Sequence, residues 1–400
     1  VAKLDANSRI SLSNNDAGGT TGTDSTSGNT LFGYLAGSSI QDTGIDNTYI
    51  GHKSGASTTT GQNNTAIGAR ALTTITTSRG SVAIGEQSGY SVTDHGNNIF
   101  IGCQAGYFQK GESNVFIGKD AGLGAAGSSA QDGITAIGFK SLESLTSGAG
   151  NTAVGYTSAD SVTTGASNTV LGYGAFATAT DTSKCVIIGR NAGDSINSSD
   201  SDGTVCIGFD SGQGITSGVG CTAIGFETLK TEDNGDRNTA IGYKALTSLN
   251  ASSGHGETTA VGFEAGADVS TGTNNTFVGS RAGNQGTNDI TTGSNNTMIG
   301  KETRGNDSNA SNQTVIGASA VGQGNNTVTL GNGDVTDVYM AQDSGATVHA
   351  DKYMSTTMPA FCVHPASTQS NIATDTTTDI VFGTERFDQG SNFASNTFTA

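Results

Sequence analysis

A five-residue phrase ending in glycine recurs along most of this chain, and it limits the fold more than any other feature. It reads Asn64-Thr65-Ala66-Ile67-Gly68, Asn151-Thr152-Ala153-Val154-Gly155 and Asn238-Thr239-Ala240-Ile241-Gly242, with looser copies between. Its glycine falls at Gly33, Gly51, Gly68, Gly85, Gly102, Gly118, Gly138, Gly155, Gly172, Gly189, Gly208, Gly225, Gly242, Gly262, Gly279, Gly300, Gly317 and Gly331, which makes 18 copies. Ten of the 17 intervals are 17 residues long. Positions are counted below from this marker glycine. At −1 every copy has Ile, Val, Leu or Phe, and at −3 a β-branched residue, Thr in 12 copies and Val or Ile in 6. Fixed-period self-similarity of this kind means a repeat architecture.

The period is too short for helix pairs, and a β-branched phrase closed by glycine reads as one short strand per repeat. A small residue at +3 (Ala36, Ser54, Ala71, Ser88, Ala105, Ala121) suits a narrow coil whose second wall comes close. The Gly, Ser, Thr, Asn and Asp between phrases supply turns. Each repeat is thus one turn of a thin β-solenoid. A single coil orders many residues for very little burial, so coils are stable only when stacked. Eighteen of them predict a rod of about 85 Å.

Alternation along the strand predicts two faces. The −1 row is expected to fill the coil interior: Ile50, Ile67, Ile84, Ile101, Ile117, Ile137, Val154, Leu171, Ile188, Ile207, Ile224 and Ile241. The −2 row, apolar in all copies but Thr329, is then expected to face outward as an intersubunit surface, with Phe100, Phe116, Val170, Ile187, Phe277 and Met298 as its largest members. A long apolar stripe is an association site. Symmetric packing of identical chains about an axis parallel to the rod covers it, and a trimer is expected.

The phrase with its small residue at +3 resembles the head repeats of trimeric autotransporter adhesins, and more closely the arrays of bacteriophage tail fibres and other virion fibres. The likeness covers residues 29–331. It implies a left-handed parallel β-roll with three chains side by side. Autotransporter heads typically repeat in about 14 residues, whereas 17 is modal here. No coiled-coil stalk or membrane anchor accompanies the repeats.

The chain divides accordingly into a lead-in or cap (1–28), the repeat shaft (29–331), a neck (332–358) and a tip (359–400). Both prolines, Pro359 and Pro365, lie in the tip segment. That segment, from Pro359-Ala360-Phe361 to Thr397-Phe398-Thr399-Ala400, resembles the start of a complement/tumour-necrosis-factor-type jelly roll. Its 42 residues cannot complete such a sandwich, and the chain opens on Val1 rather than Met. Both features read as a piece of a longer protein.

Candidate chemistry is sparse. A formal charge of −17 with no basic cluster makes nucleic acid or an anionic membrane a poor partner. No apolar run reaches the length of a membrane helix. The five cysteines, Cys103, Cys185, Cys206, Cys221 and Cys362, form no Cys-x-x-Cys pair. Cys185 and Cys221, two coils apart, are too distant for a disulfide. His52, His95, His255, His349 and His364 do not converge on a metal, and Asp200-Ser201-Asp202-Gly203 is only a faint echo of a calcium loop. No catalytic constellation stands out, and neither cofactor nor metal is expected. The asparagine at −4, present in 10 of 18 copies, is expected to bond its side chain to the backbone of the coil.

These readings lead to a structural fibre, a phage tail or virion fibre shaft that projects a tip for attachment to a host surface. The expected partners are its own copies, an anchoring virion protein and a host receptor, glycans among the candidates. Recognition would fall on the tip or on the longer turns at 123–133, 194–203, 247–257 and 284–295. A bacterial surface adhesin is the alternative. An ice-binding solenoid is the remote one, disfavoured here because the Thr row is expected to point inward with the Ile row.

Overall fold

The computed structural model describes residues 28–129, 131–251 and 256–339, and the backbone of six short strands outside them. The protein is all-β. Eighteen three-residue strands, from Thr30–Phe32 to Val328–Leu330, each occupy positions −3 to −1 of one repeat. They form one parallel ladder in chain order. Thr65, Ala66 and Ile67 stand opposite Val82, Ala83 and Ile84, and the same register holds from coil to coil. The chain is therefore a parallel β-solenoid of one strand per coil, as the repeat predicts. Two three-residue 3-10 turns, Ser199–Ser201 and Gly286–Asn288, are the helical elements among the described residues.

The marker glycine ends each strand for a steric reason. In 17 of the copies its φ lies between 128° and 151°, a region that disfavours L side chains. Stacking adds a second constraint: a Cβ on Gly68 would lie 2.5 Å from the carbonyl oxygen of Gly85 in the next coil.

The interior reverses the expected assignment of faces. The −2 residues Phe100, Phe116, Ile187, Phe277 and Met298 are fully buried inside the coil, and Val170 is 1% exposed. They are core, not an intersubunit surface. The −1 residues point outward. Ile67, Ile84, Leu171 and Ile241 are exposed, and Ile50, Ile101, Ile117, Ile137, Val154, Ile188, Ile207 and Ile224 are half-buried only because their ladder neighbours flank them. The physical reason is width. The inner cavity is filled from four directions: by −2, by the small +3 residue, by +4, and by an inward row at +7 that is mostly apolar, with Ile75, Val92, Leu145 and Ile215, and polar at Thr58, Gln109 and Glu232. A uniform row of Ile does not fit there alongside these.

Size compensation keeps the cavity filled. Where −2 is Tyr49, Phe116 or Phe277, position +4 is glycine (Gly55, Gly122, Gly283). Where −2 is Ala66, Ala136, Ala223 or Ala240, position +4 is a buried leucine (Leu72, Leu142, Leu229, Leu246). Those leucines hold φ between 45° and 52°, so local backbone strain is accepted to keep close packing.

The −4 row lies inside, and its asparagines bond to the backbone as expected. Asn64 Oδ1 accepts from the backbone N–H of Ser81 (3.0 Å), and its Nδ2 donates to the carbonyl of Ser78 (2.8 Å). Asn151 and Asn168 repeat both bonds at 2.8–2.9 Å. Cys221 substitutes in kind, its Sγ donating to the carbonyl of Gly235 at 3.3 Å. Every buried backbone group reached in this way is satisfied without water.

Changes in coil length fall on the far side of the coil. The extra residues of the longer coils lie within 124–128, 198–203 and 284–289, those of a fourth fall at 252–255, outside the described residues, and the segment from −4 to +3 keeps the same length in every coil. The neck and tip fall largely outside the described residues. Residues 337–400 form a separate compact unit, in which Phe361–Pro365 pairs antiparallel with Phe382–Asp388, and Phe393–Ala394 with Thr397–Phe398.

Candidate interaction face

Three outward rows carry nearly all the exposed apolar surface of the shaft. Between residues 30 and 330, every large hydrophobic residue that is exposed stands at −3, −1 or +1, except Leu35 and Val219. The −3 and −1 rows belong to the strands themselves and form a flat wall of Thr, Val and Ile, three residues wide and about 85 Å long. Outward β-branched side chains suit this pleated surface. The twelve Thr thus share the outward face with the Ile row, contrary to the inward placement expected for them.

The +1 row was not singled out in the sequence. Over eight consecutive coils it holds Phe139, Tyr156, Tyr173, Arg190, Phe209, Phe226, Tyr243 and Phe263. The structure stacks them into a column. Ring centroids are 5.0 Å apart for Phe139–Tyr156 and Tyr156–Tyr173, and 5.1–5.3 Å along Phe209–Phe226–Tyr243–Phe263. Interplanar angles are 6–10° for all but the first pair, at 23°. Arg190 fills the one non-aromatic level. Its guanidinium lies 5.6 Å from the rings of Tyr173 and of Phe209, so a planar cation replaces a ring. Cations close both ends: Lys119 and Lys140 near Phe139, and Arg281 near Phe263. The faces of the rings are consumed by their neighbours, leaving their edges and the Tyr hydroxyls to meet solvent. The signal that would have revealed the column was an aromatic residue recurring directly after the marker glycine.

Charges beside the column are paired within the chain. Lys230 Nζ reaches Glu227 Oε1 (2.6 Å) and Asp210 Oδ2 (3.0 Å), and Lys244 Nζ lies 3.4 Å from Glu227 Oε2. The hydrogen bond from Lys230 holds the Glu227 carboxyl below the usual carboxylate range, and the same bond raises the lysine. Arg281 pairs with Glu264 at 2.9 Å. Such exposed pairs contribute little stability; Arg190, within the column, has rings rather than a carboxylate against its guanidinium.

The remaining candidates have structural roles. Asp202, in the segment that echoes a calcium loop, accepts from the backbone N–H of Ser183 (2.7 Å) and so locks a turn. His52 stacks on Tyr34 at 5.6 Å, and His95 lies 2.9 Å from Asp94. Cys103, Cys185, Cys206 and Cys221 are free thiols; Cys362 lies outside the residues with described side chains. Burial pushes the Cys185 and Cys221 thiols up to about 11. No protein-family model and no curated protein sequence matches the chain.

Proposed function

We propose that this chain is the shaft of a homotrimeric fibre, a phage tail or virion fibre, that holds a receptor-binding tip away from the particle and serves attachment to a host surface. The observation that carries the reading is the confinement of exposed large hydrophobics to three adjacent rows along the whole ladder. A soluble rod has no use for a continuous apolar wall unless something as long and as straight covers it. The segment that forms the wall is also the one whose length never varies, whereas the rest of the coil tolerates insertions. The intersubunit face is thus the −3/−1 wall rather than the −2 row. Tail-fibre identity rests on the resemblance of the repeat, with an anchoring virion protein at one end and a host receptor, a glycan being one class, at the other. A bacterial surface adhesin with the same head architecture shares the shaft and differs in what anchors it.

Light scattering and electron microscopy test this reading. A mass of three chains that resists hundredfold dilution, in rods with a shaft of about 85 Å, is the expected result. A stable monomer would remove self-association and with it the main support for a fibre.

The outward Thr row favours a second reading, an ice-binding solenoid. A flat lattice of hydroxyls and methyl groups at strand spacing is a surface that can order water. Thermal hysteresis of freezing, measured on the assembled chain, decides it. Its absence discards ice binding and leaves the fibre reading intact.

A further inference from the structure

We infer that the aromatic column of one copy packs edge-on against the Thr/Ile wall of the next copy at the same coil level, so that column and wall are the two halves of one heterologous interface. The inference rests on the self-association proposed above and names the surfaces that meet.

Symmetry sets the requirement. A ring of three is closed by an interface in which each chain offers two different surfaces, one to each neighbour. The wall is one of them. Three residues wide and about 85 Å long, it presents about 800 Å² in all, of which the eight levels that face a column, about 38 Å, contribute roughly 400 Å² per partner. The column is the other continuous apolar strip among the described residues, and together the two account for nearly all the exposed large hydrophobics.

The chemistry of the column narrows its occupant. Stacking at 5.0–5.3 Å leaves no ring face free, so a ligand that lies flat on aromatic faces, as a sugar ring does, finds none within the column. What is offered is a row of ring edges, which carry the positive side of the aromatic quadrupole, and the hydroxyls of Tyr156, Tyr173 and Tyr243. A wall of aliphatic methyl groups interspersed with Thr hydroxyls accepts both. Period is the second argument. The column repeats at the strand spacing of its own solenoid, and to stay in step over eight levels a partner must have the same period. A second copy has it by construction. The acidic groups Asp210, Glu227 and Glu264 next to the column are matched by Lys230 and Arg281 of the same chain. Arg190, the cation within the column, has its two faces against rings and its N–H edge left to donate to the Thr hydroxyls of the wall.

Tyrosine nitration of the assembled wild-type chain, mapped by mass spectrometry, is the test. In a free chain Tyr156, Tyr173 and Tyr243 are 42–53% exposed and Tyr339, outside the shaft, is 75% exposed. Their rates in an unassembled chain should therefore differ by no more than about twofold from that of Tyr339. In the assembly the three column tyrosines are expected to react at least fivefold more slowly than Tyr339. A smaller difference in a chain shown to be oligomeric overturns the inference while leaving self-association in place. A chain that is monomeric by light scattering overturns both. Leu171→Lys, at a wall position where the side chain is exposed and folding is spared, provides the reciprocal check. It should raise nitration of Tyr173 at least threefold, and no change there would show that the wall does not cover the column.

Discussion

Gly122 lies against the ring of Phe116 so closely that a Cβ on the glycine would stand 2.2 Å from both Cδ1 and Cε1. The pair shows how the coil is filled. Position +4 is glycine beside Phe116 and leucine beside Ala66 and Ala136, and both positions lie inside. Beside Ala83 and Ala260 it is again glycine, because Leu72 and Phe100, or Leu246 and Phe277, reach in from the adjacent coils. Phe116→Ala is expected to cost about 3–5 kcal/mol of local stability through the cavity it leaves. Adding Gly122→Leu should restore part of this, because Leu72 and Leu142 already hold that backbone conformation beside an alanine. Hydrogen exchange of the amides at 99–117 and 135–137 measures the effect, and the coupling between the two changes should be about 1 kcal/mol or more. Strictly additive losses would mean that the two positions do not share a space.

The asparagine ladder should be as sensitive as the apolar core. Asn168→Leu removes the acceptor for the Cys185 N–H and the donor to the Thr182 carbonyl, both buried and both at 2.9 Å. Each orphaned group costs about 1–3 kcal/mol. Exchange protection should fall in the coils of Gly172 and Gly189 and remain unchanged five coils away, since coils contact only their neighbours. Denaturation over the whole shaft moving as one unit would contradict this.

Thiol labelling should separate the cysteines by row. Cys103 stands half-exposed in the +1 row, whereas Cys185, Cys206 and Cys221 are buried, and burial raises all three thiols. The thiolate is the reactive form. At pH 8 an aromatic disulfide reagent is expected to modify Cys103 and to leave the other three until the shaft is unfolded, as mass mapping would show. Fast labelling of Cys206 in the native protein would contradict the interior placement of the −2 row.

The turn at 284–289 should respond to pH. Burial, and next the hydrogen bond and charge of Asp268, push the Asp289 carboxyl up to about 6. A raised folded-state value means that the folded protein binds the proton more tightly than the unfolded chain. The stability contributed is therefore fully present below the ordinary carboxylate value of about 4 and is lost as pH rises through about 6. Amides at 284–292 should exchange faster at pH 7.5 than at pH 5 after correction for intrinsic rates. Asp289→Asn should flatten the difference, and an unchanged profile in that variant would assign the effect elsewhere.

The architecture was legible in the sequence because stacking imposes a period, and Gly68, Gly85 and Gly102 cannot leave that register without collision between coils. The polar ladder was legible for the same reason in Asn64 and Asn168. Which face of Thr65-Ala66-Ile67 lies inside was not. Alternation separates two faces without saying which is enclosed, and the greater hydrophobicity of Ile67 argued for the wrong one. The usable signal was variability of a particular kind. An enclosed row can change size if a facing position compensates, as Phe116 with Gly122 and Ala136 with Leu142 do. A row that meets a repeating surface must stay uniform, as Ile67, Ile84 and Ile101 do. The aromatic column escaped notice because each member, taken alone, is an unremarkable exposed residue, and only stacking through Arg190 joins Tyr173 to Phe209.

Confining every change of coil length to the stretch outside positions −4 to +3 separates two properties of the rod. Reach depends only on how many coils are stacked, because each adds one strand spacing whatever its turns contain. What the flanks display depends only on the turns. The molecule is a ruler whose graduations are fixed, while its margin can be rewritten at any mark without altering the distance it measures.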